Sequence, residues 1–192
     1  MYLGDGHLVR YPRAYALRVF LNENRRDIID RVKAAIVTLL PDNRVSVAGR
    51  RGAAVVIVTC YSTAWPILFP QHGPGRKHTR RIILEPWQRL IVERHPFEFL
   101  RGCLESDGCR HRRIVNGKNY PAYSFTNHSE DILTLFTSTC DAIGLRWRRA
   151  NRVTISIARR ADVARLDAFY ADGLRSPLAV PLISPGANNL LT

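Results

Sequence analysis

Two stretches of the chain alternate apolar and polar residues with a period of two. In one, Val45 and Val47 oppose Arg44, Ser46, Ala48 and Arg50; in the other, Val153, Ile155 and Ile157 oppose Arg152, Thr154 and Ser156. A half-buried antiparallel strand has this pattern, with one face in the core and the other polar and basic. Partner strands are expected beside them at Ala54 to Tyr61 and Leu145 to Arg149, and further strand pairs at Leu8 to Leu21 and Arg110 to Asn127. Helical signals separate these pairs. They run from Asp27 through Leu40, and from Ser129-Glu130-Asp131-Ile132 through Ile143, where Gly144 is placed as a C-cap. Shorter helices are expected at Thr63 to Phe69 and Arg160 to Tyr170, and Trp65, Trp87, Trp147, Phe69 and Phe136 fall at core spacing.

The elements occur twice. Tyr2-Leu3-Gly4-Asp5-Gly6 answers Leu104-Glu105-Ser106-Asp107-Gly108, and the same order of strand pairs and helices follows each. Between the copies, Gln71 to Arg81 (QHGPGRKHTRR) concentrates Pro, Gly and basic residues and reads as a linker. The expected division is a first half over 1–70, a basic linker over 71–84, a second half over 85–175 and a flexible tail over 176–192. The fold class is α+β, two pseudo-symmetric αββαββα halves, expected as a monomer.

Charge changes the picture from a fold to a partner. The 192 residues carry a formal net charge of +13, and of 29 basic residues only Lys33, Lys77 and Lys118 are lysines. Arginine's planar fork grips phosphates and guanine edges in pairs of bonds, so an acidic polymer, double-stranded DNA, is the expected partner. Cys60, Cys103, Cys109 and Cys140 have no CxxC spacing, and Cys109, His111 and His128 do not form a zinc pattern. Reduced structural thiols follow. With neither an apolar run of about 18–20 residues nor a signal peptide at Met1 to Gly6, a soluble cytoplasmic protein is expected.

The second repeat begins a helix at Pro96, suited to a first turn because its missing N–H has no helical partner there. Gly102 and Ser106 lie four apart on one face and are small enough for a second helix to approach closely. Gly108 is expected as a left-handed C′ residue. Asp107 is the unusual member: a carboxylate at the negative end of a helix is disfavoured by about 0.3–1 kcal/mol unless something offsets it, and a divalent cation would.

Leu100 to Gly108 (LRGCLESDG) resembles the LAGLIDADG motif, with matches at Leu100, Gly102, Asp107 and Gly108, and Met1 to Gly6 looks like the tail of a first copy. The resemblance runs from residue 1 to about 170. It implies the fold of the LAGLIDADG homing endonucleases, in which two motif helices pack side by side beneath a β-saddle. Their terminal carboxylates bind divalent metal and hydrolyse one phosphodiester in each DNA strand. By matching position, Asp5 and Asp107 are the implied catalytic and metal-binding pair for Mg²⁺ or another divalent cation, with Gly4, Gly6, Gly102, Ser106 and Gly108 at the helix packing. Glu105 takes no such role. Candidates for DNA contact are Arg44, Ser46, Arg50, Arg110, Arg112, Arg146, Arg148, Arg152 and Thr154.

Two departures from the family pattern stand out. Less than one turn precedes Asp5, and an isolated turn does not hold itself together, so the first motif helix is expected to be incomplete. The lysine that many members place near the cut site has no obvious counterpart, because Lys77 falls in the linker and Lys118 in a turn; Arg110, Arg146 or Arg152 are the substitutes considered. The reading is therefore a metal-dependent DNA endonuclease, with a non-cleaving DNA-binding regulator on the same fold as the alternative. An intein lacks support, since no nucleophile opens the chain and no terminal His-Asn pair closes it.

Overall fold

The computed structural model describes residues 1–49 and 52–172, with the backbone alone at residue 115. The expectations placed on Arg50 and on the tail from Ser176 lie outside the described residues. In the first half, β1 (Gly6–Arg10) and β2 (Tyr15–Asn22) lead to α1 (Arg26–Leu39), then β3 (Val45–Gly49), β4 (Val55–Ser62) and the single turn α2 (Trp65–Leu68). A 3-10 turn at Lys77–Thr79 and a helix α3 (Pro86–Arg94) connect the halves. The second half continues as α4 (Pro96–Asp107), β5 (Gly108–Val115), β6 (Lys118–Thr126), α5 (Glu130–Ala142), β7 (Arg148–Asn151), β8 (Thr154–Ile157) and α6 (Arg160–Asp172).

Each half builds a four-stranded antiparallel sheet, ordered β1-β2-β4-β3 in one and β5-β6-β8-β7 in the other. The strand order is identical, so the sequence repeat is also a repeat of topology. One face of each sheet is core. Leu17 lies opposite Cys60 and Val19 opposite Val58, and all four are buried against Ile28, Ile29, Val32 and Ile36 of α1, the i, i+4 stripe that makes that helix amphipathic. Phe125 and Ile155 do the same against Ile132, Leu133 and Phe136 of α5, with the Phe125 and Phe136 rings stacked at 4.2–4.4 Å-type spacing, here 4.4 Å between centroids. Ser129 caps α5 by accepting from the Ile132 amide, and Gly144 ends that segment at φ +67°, the left-handed cap the pattern called for. The opposite sheet faces carry the alternate residues, among them Ser46 and Thr59 in one half and Ser124 and Arg148 in the other.

Three local expectations change. Helix α3 lies where only linker and motif were expected; Pro86 opens it and the Gln88 side chain accepts from the Glu85 amide. Its Trp87 is 42% exposed, not core, because α3 sits at the rim with no fully buried residue of its own. Arg152 is not in a strand. It occupies the turn between β7 and β8, where the register shifts between Arg149 and Asn151, and its carbonyl accepts from Arg149.

The halves are joined by a buried ion pair that the sequence reading left unassigned. Glu105 of α4 accepts from Arg31 of α1 at 2.6 Å and from Arg101 at 2.9 Å. Its side chain is 7% exposed, so the carboxylate sits between two cations drawn from different halves.

Candidate functional site

Residues Met1 to Gly6 form one helical turn, with the Asp5 amide donating to Met1 O at 3.0 Å and the Gly6 amide to Tyr2 O at 3.2 Å. Such a turn needs outside support, and the other half supplies it. The Met1 ammonium donates to Gly102 O at 3.1 Å, and Leu3 packs on the second core while Met1 and Tyr2 pack on the first. A Cβ on Gly4 would fall 2.2 Å from Ser106 Oγ, 2.4 Å from Ser106 Cβ and 2.9 Å from Asp107 Oδ2. The turn thus lies directly against the end of α4. Ser106 directs its hydroxyl back to the Gly102 and Cys103 carbonyls, clear of that contact.

Gly108 is not left-handed. At φ −107° and ψ 166° it is extended, because β5 starts at Gly108 with no intervening turn. Its lack of a side chain matters for another reason: a Cβ would stand 2.5 Å from Leu104 Cα and from Leu104 O. Gly6 has the same relation to Tyr2, with Cα 2.6 Å away. In both halves the chain leaves a helical turn straight into a strand, and Asp5 and Asp107 are the last residues before that exit.

This exit geometry brings the two acids together. Burial, then repulsion from Asp107, raises the Asp5 carboxyl to about 6, against the pull of the Met1 ammonium and Lys77. Burial also raises Asp107, opposed by Asn127, whose Nδ2 donates to Oδ2 at 2.9 Å and favours the ionised form. Lys77, delivered by the 3-10 turn, donates to Tyr2 O at 2.6 Å and Gly4 O at 2.7 Å and lies 5.2 Å from the Tyr2 ring centre. It caps the negative end of the turn, and burial lowers its ammonium to about 8 although both aspartates favour the charged form. The expectation that no lysine approaches the acids is thereby corrected. The linker is folded back by Arg80, which donates to Gln71, Pro74 and Gly75 carbonyls, and so carries Lys77 inward.

A cavity of about 450 Å³ opens beside the pair, with Asp107, Asn127 and His128 on one wall and Arg76, Lys77, His78 and Arg80 of the linker on another. Among the described residues no group of three or more His, Cys, Asp or Glu stands together. The donors for a cation are therefore two carboxylates. That suits Mg²⁺, which retains several waters, and the repulsion that raises Asp5 is what a dication would relieve.

Asp5 titrates in a direction that can be measured without metal. Its folded value, about 6, lies above the ordinary 3.8, so the folded state binds the proton more tightly and the ionised carboxylate opposes folding. That opposition is complete above pH 6 and absent below 3.8. Asp5→Asn is therefore expected to raise stability at pH 7–8 by about 1 kcal/mol after screening, a Tm gain of about 2–4 °C. The gain should vanish by pH 4 in thermal melts with chelator present; a loss of stability at pH 8 would refute the crowding.

The remaining candidates scatter. Arg44 stands exposed just before β3, and Ser46 is on the open face of β3, its hydroxyl near Thr59 O. Thr154 faces Thr126 across β8 and β6 at 3.0 Å, and Arg148 shares that open face. Arg146 precedes β7 and is exposed. Arg110 lies in register with Tyr123 on the helix-facing side, where Asp167 of α6 holds it by two bonds of 2.7 Å, and Arg112 has the same parity. The sequence reading missed Arg18, in register with His7 and Thr59, although the Leu17, Val19, Leu21 alternation of β2 marks it as outward.

No protein-family model and no curated sequence matches the chain. Solved structures do. The LAGLIDADG meganuclease I-AabMI bound to uncleaved DNA aligns over 89% of this chain and 80% of its own, at 14% identity and a TM-score of 0.54. Mesophilic variants of the homing endonuclease I-DmoI align over 88% and 90%, at 11% identity and 0.56. Full-length DUF199/WhiA from Thermatoga maritima aligns over 94% of this chain and 59% of its own, at 14% and 0.50. Two sheets of matching order, flanking two helix ends that meet at a pair of aspartates, give this chain the fold of the LAGLIDADG homing endonucleases.

Proposed function

We propose that the protein binds duplex DNA across its two open sheet faces and hydrolyses one phosphodiester in each strand at Asp5 and Asp107. The observation that carries this reading is the meeting of two half-buried carboxylates, each at the exit from a helical turn into a sheet, with Lys77 beside them. A binder with no chemistry to perform has no use for two acids forced together next to polyanionic DNA. Structures of I-DmoI with its target DNA and Mg, and with DNA and Mn, support the choice of partner and of cation class.

In this reading Asp5 and Asp107 hold the cation, and Asn127 fixes the orientation of Asp107. A bound Mg²⁺ would supply Lewis-acid activation of water and stabilise the leaving oxygen. Lys77 supplies positive charge at the cleaved phosphate, and Arg76, Arg80, His78 and His128 line the cavity through which the backbone would pass. The lysine is tied to the Gly4 carbonyl, so its position is fixed relative to Asp5.

The test begins with a duplex selected from a randomised library by the full chain. With a charge of +13, log K should fall against log salt with a slope of about −0.9 per phosphate neutralised, several contacts in all. A supercoiled plasmid carrying that site should then be nicked with Mg²⁺ and left intact with chelator. Affinity nearly indifferent to salt would remove the electrostatic saddle. Tight, salt-sensitive binding without nicking would favour the non-cleaving regulator.

A further inference from the structure

Resting on the DNA-binding reading, we propose that the two open sheet faces read half-sites of opposite base composition, thymine methyls in one and guanine edges in the other. The two sheets share a topology but not a surface. In the first half, Phe20 of β2, Ile57 of β4 and Ala48 of β3 lie in one row across the sheet, and Val9, Ala16 and Tyr61 form the next. Phe20 is 40% exposed and Tyr61 47%, large apolar area on a face turned away from the core. The strand residues of this face include a single cation, Arg18, whose guanidinium donates to Tyr11 Oη at 2.7 Å.

The matching face of the second half carries His111 and Arg113 on β5, Lys118 on β6 and Arg148 on β7, with Ser124 and Ser156 between them. Arg110 and Arg149, of the other parity, are locked to Asp167 and Glu130. Arg113 and Arg148 form no ion pair among the described residues, so their forks are available.

In the major groove the thymine C5-methyl is the apolar feature, and guanine O6 and N7 are the acceptors that arginine engages in pairs. An aromatic and aliphatic row therefore selects A·T pairs by burying methyls and by leaving an unpaired cytosine amino group wherever G·C intrudes. A row of arginines among serines selects guanine. Strand pairs that enter adjacent grooves from either side of the acid pair thus give the site a direction: an A·T-rich arm and a G·C-rich arm.

The experiment uses the duplex selected by the full chain, with two chemical edits. Replacing thymine by deoxyuridine removes only the methyl, and each methyl lost from the A·T-rich arm should weaken binding about fourfold. The same edit in the other arm should have no effect. Replacing guanine by 7-deazaguanine removes one acceptor, and in the G·C-rich arm should weaken binding about fivefold or more. Phe20→Leu should shrink the deoxyuridine penalty and leave the deazaguanine penalty unchanged, and Arg113→Gln the reverse. Equal deoxyuridine penalties in both arms of wild type would overturn the assignment without recourse to any variant. So would selected sites of matched composition in the two arms. Failure to enrich any site, or binding that ignores salt, would instead defeat the DNA reading on which the assignment rests.

Discussion

Asp107→Asn should abolish Mg²⁺-dependent nicking of a selected site while affinity for that site holds or rises. Asparagine keeps the volume and one hydrogen-bonding oxygen but removes the charge that holds a dication. The Asn127 amide, which donates to Asp107 Oδ2, can still donate to the new side-chain carbonyl, so the rotamer is preserved. A carboxylate also disappears from a place where DNA phosphates would arrive, which relieves repulsion. Because burial raises the Asp107 carboxyl, its ionised form opposes folding, and the substitution should leave the melting temperature unchanged or slightly higher. The readout is the conversion of supercoiled to nicked plasmid with Mg²⁺, beside a binding isotherm on the same site. Loss of a catalytic metal ligand typically removes several orders of magnitude of rate, on the order of 10³ or more, so residual nicking within tenfold of wild type would take Asp107 out of the mechanism.

Gly4→Ala is expected to be among the most damaging single methyl additions in the protein. The added carbon would sit 2.2 Å from Ser106 Oγ and 2.4 Å from Ser106 Cβ. The hydroxyl could rotate away, but Cβ is fixed to the α4 backbone, so the turn and the helix must separate. Forced overpacking of this kind costs about 1–3 kcal/mol, a Tm loss of about 3–10 °C. Separation would also move the Gly4 carbonyl from Lys77 and Asp5 from Asp107, so nicking should fall with stability. Gly102→Ala is the control. Its added carbon meets only the Met1 nitrogen, at 2.8 Å, and a chain terminus can yield. Combining Gly4→Ala with Ser106→Gly should restore most of the loss, a coupling of about 1 kcal/mol or more that a general intolerance of the turn would not produce. A Gly4→Ala protein as stable as wild type would mean that the turn and α4 are further apart than this packing requires.

What could be read from the chain alone was whatever depends on neighbours in sequence. The alternation of Val45 with Ser46 and of Ile155 with Ser156 locates strands and their faces, and the repeated Asp-Gly pair locates two equivalent exits from helix to strand. Gly108 shows the limit of local rules: glycine after a helix suggests a left-handed cap, yet the chain enters β5 without turning, and extended backbone results. Arg110 follows from the same point. Once β5 begins at Gly108, its parity places Arg110 towards α6, which is invisible while the strand start is unknown. Helix α3 did have a signal, Pro86 followed by Gln88 and apolar residues at 87, 90 and 91, masked by the basic run just before it. Lys77 had none. Its place beside the acids depends on Arg80 folding the linker and on carbonyls some 73–75 residues away, and no sequence window contains both.

That last contact bears on the order in which the molecule comes together. The turn carrying Asp5 has two helical hydrogen bonds of its own, and every other tether on it closes a long loop: 101 residues to Gly102, 75 and 73 to Lys77. Loop closure must precede the contacts that reward it, so structure held by such distant partners forms late and opens early. The sheets and their covering helices rest on hairpins and nearby helices and can persist without the turn. Amide exchange should therefore find residues 4–6 among the first protons to trade with solvent while β2 and β4 stay protected. Chemistry at the acid pair is then confined to molecules in which both halves and the linker have already docked, a proofreading of the fold by its least autonomous turn.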